Sequence, residues 1–179
     1  MLYTGKGDAG TTKVFGCDQQ RISKSSELPE ALGALDELNA FIGYVKMRAA
    51  DSPRIGGILR EIQETLFIVQ AEVAGADKKL KEGTVEKVSD IVNGIEKEIL
   101  PVKSFSIAGG TELSALLDVA RTMSRRAERR IVAVSEAKLR EIGNNFNSAI
   151  NSLSLRMSNI ESQKTTYELL NNPAKRKQE

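Results

Sequence analysis

Histidine and tryptophan are absent from this 179-residue chain, and cysteine occurs once, as Cys17. Without imidazole there is no general base titrating near neutrality, no nucleophile–histidine dyad and no histidine-ligated metal. A single thiol closes no internal disulfide and makes no zinc site, no residue stands out as a metal ligand, and a reducing cytoplasm fits. No apolar run approaches the roughly 18 residues of a membrane span, and no charged-then-apolar leader opens the chain. Neither membrane insertion nor a signal peptide is expected. A formal net charge of +2 lacks the dense basic stripe of a nucleic-acid-binding domain. What remains is carboxylates, arginines, lysines, hydroxyls, main-chain amides and bound ligands. A catalyst built from these works by positioning and electrostatics.

The length suits one domain with a full core. Residues 1–27 carry no helical period; glycines 5, 7, 10 and 16 lie among Thr4, Thr11, Thr12, Asp8, Lys6 and Lys13, which reads as an ordered loop with no strand. From Pro29 the pattern is helical, with Leu35, Leu38, Ile42 and Val45 as an apolar stripe. The other side holds Gly33, Asp36, Asn39, Ala40 and Gly43, small residues that predict close packing by a second helix or subunit. Asp36 is then expected to be at least partly buried and to need a cation from elsewhere in the fold. Ser52-Pro53 starts a second helix that carries its core stripe to about Ala76, and a charged turn follows. A third helix is expected over 84–100 and a fourth from Thr111 to about Val134, after the loop 102–110. A fifth is expected over about 136–170. The expected fold is all-α, a five-helix bundle with up-down, ferritin-like packing and a glycine-rich N-terminal loop. Its parts are an arm (1–27), the bundle (28–170) and a tail (171–179).

Three features carry chemistry. Thr4-Gly-Lys-Gly-Asp-Ala-Gly-Thr-Thr12 can fold its main chain tightly around an anion, with Lys6, Thr12 and a following Lys24 as donors. It is not a Walker A motif, and a flexible tail is the plainer alternative. Val119 to Ile131 sets Arg121, Arg125, Arg126, Arg129 and Arg130 around Glu128 beside the apolar seam of the fourth helix. At about 100° per residue, Arg121, Arg125 and Glu128 fall within roughly 60° of one another. Guanidinium groups grip oxyanions in a planar fork, so this row fits phosphate or carboxylate; a solvated arginine face is the alternative. Phe105, in the loop before that helix, is either a packing plug or a ligand contact.

In this order the motifs resemble the PduO-type ATP:cob(I)alamin adenosyltransferases. The matching stretches are Tyr3-Thr-Gly-Lys-Gly-Asp-Ala-Gly-Thr-Thr12, Arg21-Ile-Ser-Lys24, Glu30-Ala-Leu-Gly-Ala-Leu-Asp-Glu-Leu-Asn39, Phe105-Ser-Ile-Ala-Gly-Gly-Thr111 and Val119 to Arg130. The resemblance implies a homotrimer with active sites between subunits. ATP with Mg2+ would lie over Thr4, Gly5, Lys6, Gly7, Asp8, Gly10, Thr12 and Lys24, completed by Arg125, Glu128, Arg129 and Asn151. Asp36 and Arg121 would form an intersubunit ion pair shaping the cobalamin side, and Phe105 would press on the corrin and help displace its lower ligand. The implied reaction is attack of cob(I)alamin's cobalt on the 5′-carbon of ATP, giving adenosylcobalamin and triphosphate, with no side-chain nucleophile needed.

Departures fall mostly on the corrin side and in the last third. Asn151-Ser-Leu-Ser-Leu-Arg-Met-Ser158 keeps only part of the family's N-R-L-S-D-x-L-F pattern, and a shift would place Asn147 or Ser148 at the Asn151 position. Ala108 stands where a proline is usual, and Leu32 where an aromatic is common. A nucleotide-binding paralogue without transferase activity, or a non-catalytic scaffold bundle, are the competing functions. A cobalamin reductase or a cobalamin-dependent enzyme would be further partners of the transferase.

Overall fold

The structure is a computed structural model, and it describes residues 4–15, 20–97 and 109–138. The chain begins with strands β1 (Thr11–Lys13) and β2 (Arg21–Ser23), an antiparallel pair in which Thr12 faces Ile22. The expectation of a strandless arm is corrected here. Each strand has three residues, too few to display a period of two, yet β-branched Thr11, Thr12 and Ile22 suit the pleat. Arg21 ties the pair together: its Nε donates to Thr11 Oγ1 at 2.8 Å and its Nη2 to the Thr11 carbonyl at 2.6 Å.

Helix α1 (Glu27–Arg48) starts after Ser26, whose hydroxyl does not cap the helix but donates to the Ser23 carbonyl at 2.7 Å. The hairpin is thereby fastened to the start of the helix. Pro29 sits in the first turn, where a missing N–H costs nothing. Leu35, Leu38, Ile42 and Val45 are buried, as their spacing predicts, and each contributes about 1.5–3 kcal/mol. Helix α2 (Pro53–Val73) begins where Ser52-Pro53 indicated and ends at Gly75, which takes φ 82°. There the Ala76 N–H reaches back to the Ala71 carbonyl at 2.9 Å, so a left-handed glycine stops the helix. Helix α3 (Thr84–Glu96) buries Val88 and Ile95, and Lys87 pairs with Glu61 of α2 at 2.6 Å.

Helix α4 (Glu112–Lys138) opens with a reciprocal cap: Thr111 N–H donates to Ser114 Oγ at 3.0 Å and Ser114 N–H to Thr111 Oγ1 at 3.2 Å. It runs without a break to Lys138, beyond the expected end near Val134, because no glycine or proline interrupts that stretch. Early residues of α1 meet late residues of α4 through Glu30–Arg130 (3.3 Å) and Glu37–Arg126, and the far end is closed by Arg48–Glu112 (2.7 Å). The two helices are therefore antiparallel, with α1 packed between α4 and α2. Leu117, Ala120, Ser124 and Ala127 of α4 complete the core. The described residues give four helices; most of the expected fifth, with Asn147, Ser148 and Asn151, lies outside them, as does Phe105. Among the described residues no helix is long and apolar enough to cross a membrane.

Candidate functional site

The glycine-rich arm folds as two successive tight turns. Asp8 N–H donates to the Gly5 carbonyl at 3.1 Å and Gly10 N–H to the Gly7 carbonyl at 3.2 Å. Gly5 and Gly10 take φ 66° and 75°, a region open to glycine at little cost. The hairpin then returns the chain, and Lys24 N–H donates to the Gly10 carbonyl at 2.9 Å. A methyl placed on Gly7 would come 3.2 Å from Lys24 Nζ, so the ammonium lies directly against the first loop. Two residues 17 apart in sequence are thus adjacent in space. Thr4, Lys6 and Asp8 are exposed and Thr12 is half-buried.

The five arginines of α4 divide into two sets. Arg126 and Arg130 point toward α1 and pair with Glu37 and Glu30. Arg121, Arg125 and Arg129 leave the opposite flank, a spread of roughly 80° at 100° per residue. On that flank Arg125 pairs with Glu128, whose side chain is 12% exposed against 48% for Arg125. Arg121 pairs with Asp118 at 3.3 Å, and Arg129 makes no ion pair among the described residues. Asp118 was not singled out from the sequence. Its only signal was its position three residues before Arg121. The division has a direct consequence. Arg126→Ala should change stability by no more than about 1 kcal/mol, because both partners of its bridge are half-exposed. ATP affinity should stay at its wild-type value; a thermal melt and an ATP titration measure both, and a large loss of affinity would place Arg126 in the site.

Asp36 lies on an open face of α1. It is exposed in the single chain and makes no ion pair among the described residues. It borders a groove of about 470 Å³ between α1 and α2, lined also by Leu32, Gly33, Phe67, Gln70 and Ala71. The small-residue face has a partial explanation in α2. A methyl on Gly43 would meet Gln63 Nε2 at 3.1 Å, whereas one on Gly33 would meet nothing within 4 Å. Asp36 and Arg121 are not joined within one chain.

The foot of the hairpin meets α4 away from the Arg125 flank. The foot of the hairpin, through Ile22, Ser23 and Ser25, shares a cavity with Leu28 and Val134. Val134 leaves α4 about 180° around the axis from Arg125.

A family model for cobalamin adenosyltransferases matches residues 2–157. The chain belongs to the cobalamin adenosyltransferase family. Among curated members, the corrinoid adenosyltransferase PduO of Salmonella typhimurium is 37% identical over 149 residues, covering 79% of this chain and 44% of the relative. The corrinoid adenosyltransferase of Bacillus subtilis is 35% identical over 144 residues, covering 76% and 73%. The chain thus spans less than half the length of the Salmonella relative. Among solved structures, a variant of the PduO-type ATP:corrinoid adenosyltransferase from Lactobacillus reuteri, complexed with cobalamin and ATP, superposes with a TM-score of 0.85. It shares 29% identity, over 94% of this chain and 96% of that one. In this family member the candidate anion-binding groups are those of the arm and of the outer flank of α4.

Proposed function

We propose that the chain transfers the 5′-deoxyadenosyl group of ATP to the cobalt of cob(I)alamin, forming adenosylcobalamin and releasing triphosphate. The observation that carries this reading is the arm itself: two tight glycine turns with the Lys24 ammonium held against Gly7. Such a turn presents amides and a cation to a polyphosphate. Family membership and the ATP- and cobalamin-bound relative supply the substrates.

The chemistry suits a chain without histidine. Cobalt(I) carries the electron pair that bonds to the 5′-carbon, and the C–O bond to triphosphate breaks, so no protein base or nucleophile takes part. The protein must align the two substrates and stabilise charge on the departing triphosphate. Lys6 and Lys24 would do so from the arm, with Thr4, Gly5, Gly7, Gly10 and Thr12 shaping the cradle, and Arg125 and Arg129 from α4. Glu128 orients Arg125. Asn151 would add a contact from the last third. Among the described residues no group of three acidic or thiol side chains could cage a metal. Mg2+ keeps several waters and binds through phosphates with one or two carboxylates, here Asp8. Its chemistry there would be neutralisation of phosphate charge.

Because the foot of the hairpin meets α4 about 180° around the axis from Arg125, a complete site would take the arm of one copy and the α4 flank of another. A contact between two different surfaces is heterologous and forms a ring where the rotation closes; on the family resemblance that ring would be a trimer of five-helix bundles. In it Asp36 would meet Arg121 of the adjacent copy, and the groove beside Asp36 would take the corrin, with Phe105 against its lower face. A reductase that delivers cobalt(I), or an enzyme that uses the product, would be a further partner, in the cytoplasm.

One assay tests the reading. The protein is mixed with ATP, Mg2+ and chemically reduced cobalamin, and the cob(I)alamin absorbance is followed. Loss of that absorbance with formation of adenosylcobalamin is expected. ATP binding without turnover would instead make the chain a nucleotide-binding paralogue, and no ATP binding would leave a scaffold.

A further inference from the structure

Arg121 has a carboxylate of its own chain beside it as well as the one proposed to meet it from a neighbour. Its Nη2 lies 3.3 Å from Oδ1 of Asp118, one helical turn earlier on α4. Asp118 is only 7% exposed, and its Oδ2 is buried without a hydrogen-bond partner. A carboxylate so far withdrawn from water needs a cation, and Arg121 is the one supplied. The pairing runs three residues along one helix face, so it restricts the direction in which the long guanidinium side chain leaves α4. A guanidinium carries five N–H donors in a fixed plane, enough to serve two carboxylates at once.

We infer that Asp118 is a positioning residue: it holds the Arg121 guanidinium in the orientation that engages Asp36 of an adjacent copy beside the corrinoid. The inference rests on the proposed adenosyl transfer. Asp118 touches no substrate; it acts through Arg121. The assembled row reads carboxylate, guanidinium, carboxylate.

The test compares Asp118→Asn, Asp118→Glu and the double variant Asp118→Asn with Asp36→Asn in the full chain. kcat and KM are measured for cob(I)alamin and for ATP, beside sedimentation and a thermal melt. Asp118→Asn should lower kcat/KM for cob(I)alamin about tenfold while the KM for ATP stays within about twofold. Asp118→Glu, which keeps the charge within reach, should restore most of the loss. The double variant should be no worse than Asp36→Asn alone, because both changes act through one guanidinium. Wild-type kinetics in Asp118→Asn would overturn the inference. So would a parallel loss for both substrates with a lowered melting temperature that Asp118→Glu does not rescue. Should Asp118→Asn not fold, Arg121→Lys reads the same orientation. Lysine keeps the charge without the fork, and unchanged corrinoid kinetics in that variant would also overturn the inference. A wild-type protein that forms no adenosylcobalamin refutes the proposed function and takes this inference with it. Wild-type turnover with an unaltered Asp118→Asn refutes the positioning role alone.

Discussion

Arg125→Ala raises the apparent KM for ATP by at least about tenfold, since a charge-assisted hydrogen bond to phosphate contributes about 1.5–3 kcal/mol. The residue is suited to show this effect. Its side chain is 48% exposed, so it can reach a ligand, and it is held by the nearly buried Glu128 rather than by α1. Removing it also strands Glu128, whose Oε2 is already buried without an aligned hydrogen-bond donor. A second consequence follows: the variant should lose some stability as well as affinity. Steady-state kinetics against ATP concentration, with a melt on the same preparation, separates the two. An unchanged KM for ATP would remove Arg125 from the nucleotide site.

Asp36→Asn is expected to damage the other substrate. Asparagine keeps the shape of the side chain and removes its charge, so an ion pair with Arg121 of another copy is lost while the groove keeps its form. kcat/KM for cob(I)alamin should fall about tenfold or more, with the KM for ATP within about twofold, or the assembly should weaken. Kinetics combined with sedimentation velocity reads both outcomes. A variant of normal activity and normal size would show that Asp36 carries no important pair. Arg126→Ala is the matched control, because its partner Glu37 lies on the same chain.

The helices were legible because burial imposes a period on the sequence: Leu35, Leu38, Ile42 and Val45 state one face of α1, and the structure buries all four. The hairpin was not legible, since strands of three residues fall below the length at which alternation can be seen. Lys24 could be associated with the glycine loop from its motif, but its position against Gly7 depends on the return of the chain through β2. The division of the α4 arginines was hidden for another reason. The partner of Arg126 is Glu37, 89 residues away, and no local pattern announces a contact at that range. Asp118 was overlooked because an acidic residue three positions from an arginine resembles an ordinary surface pair; only its 7% exposure sets it apart. Asp36 was expected to be covered by a second helix or a subunit; within one chain it is exposed, and α2 comes close at Gly43 but not at Gly33.

The absent side chain at position 7 works as a spacer of one carbon. An alanine there would press on Lys24 Nζ at 3.2 Å and on the Thr11 carbonyl at 3.4 Å, and the flexible amine is the group that can yield. The arm could keep its path while its positive charge moved outward by a few tenths of an ångström. The distance between amides and ammonium, and with it how closely a polyanion can be embraced from both sides, is thus set by which atom the chain leaves out.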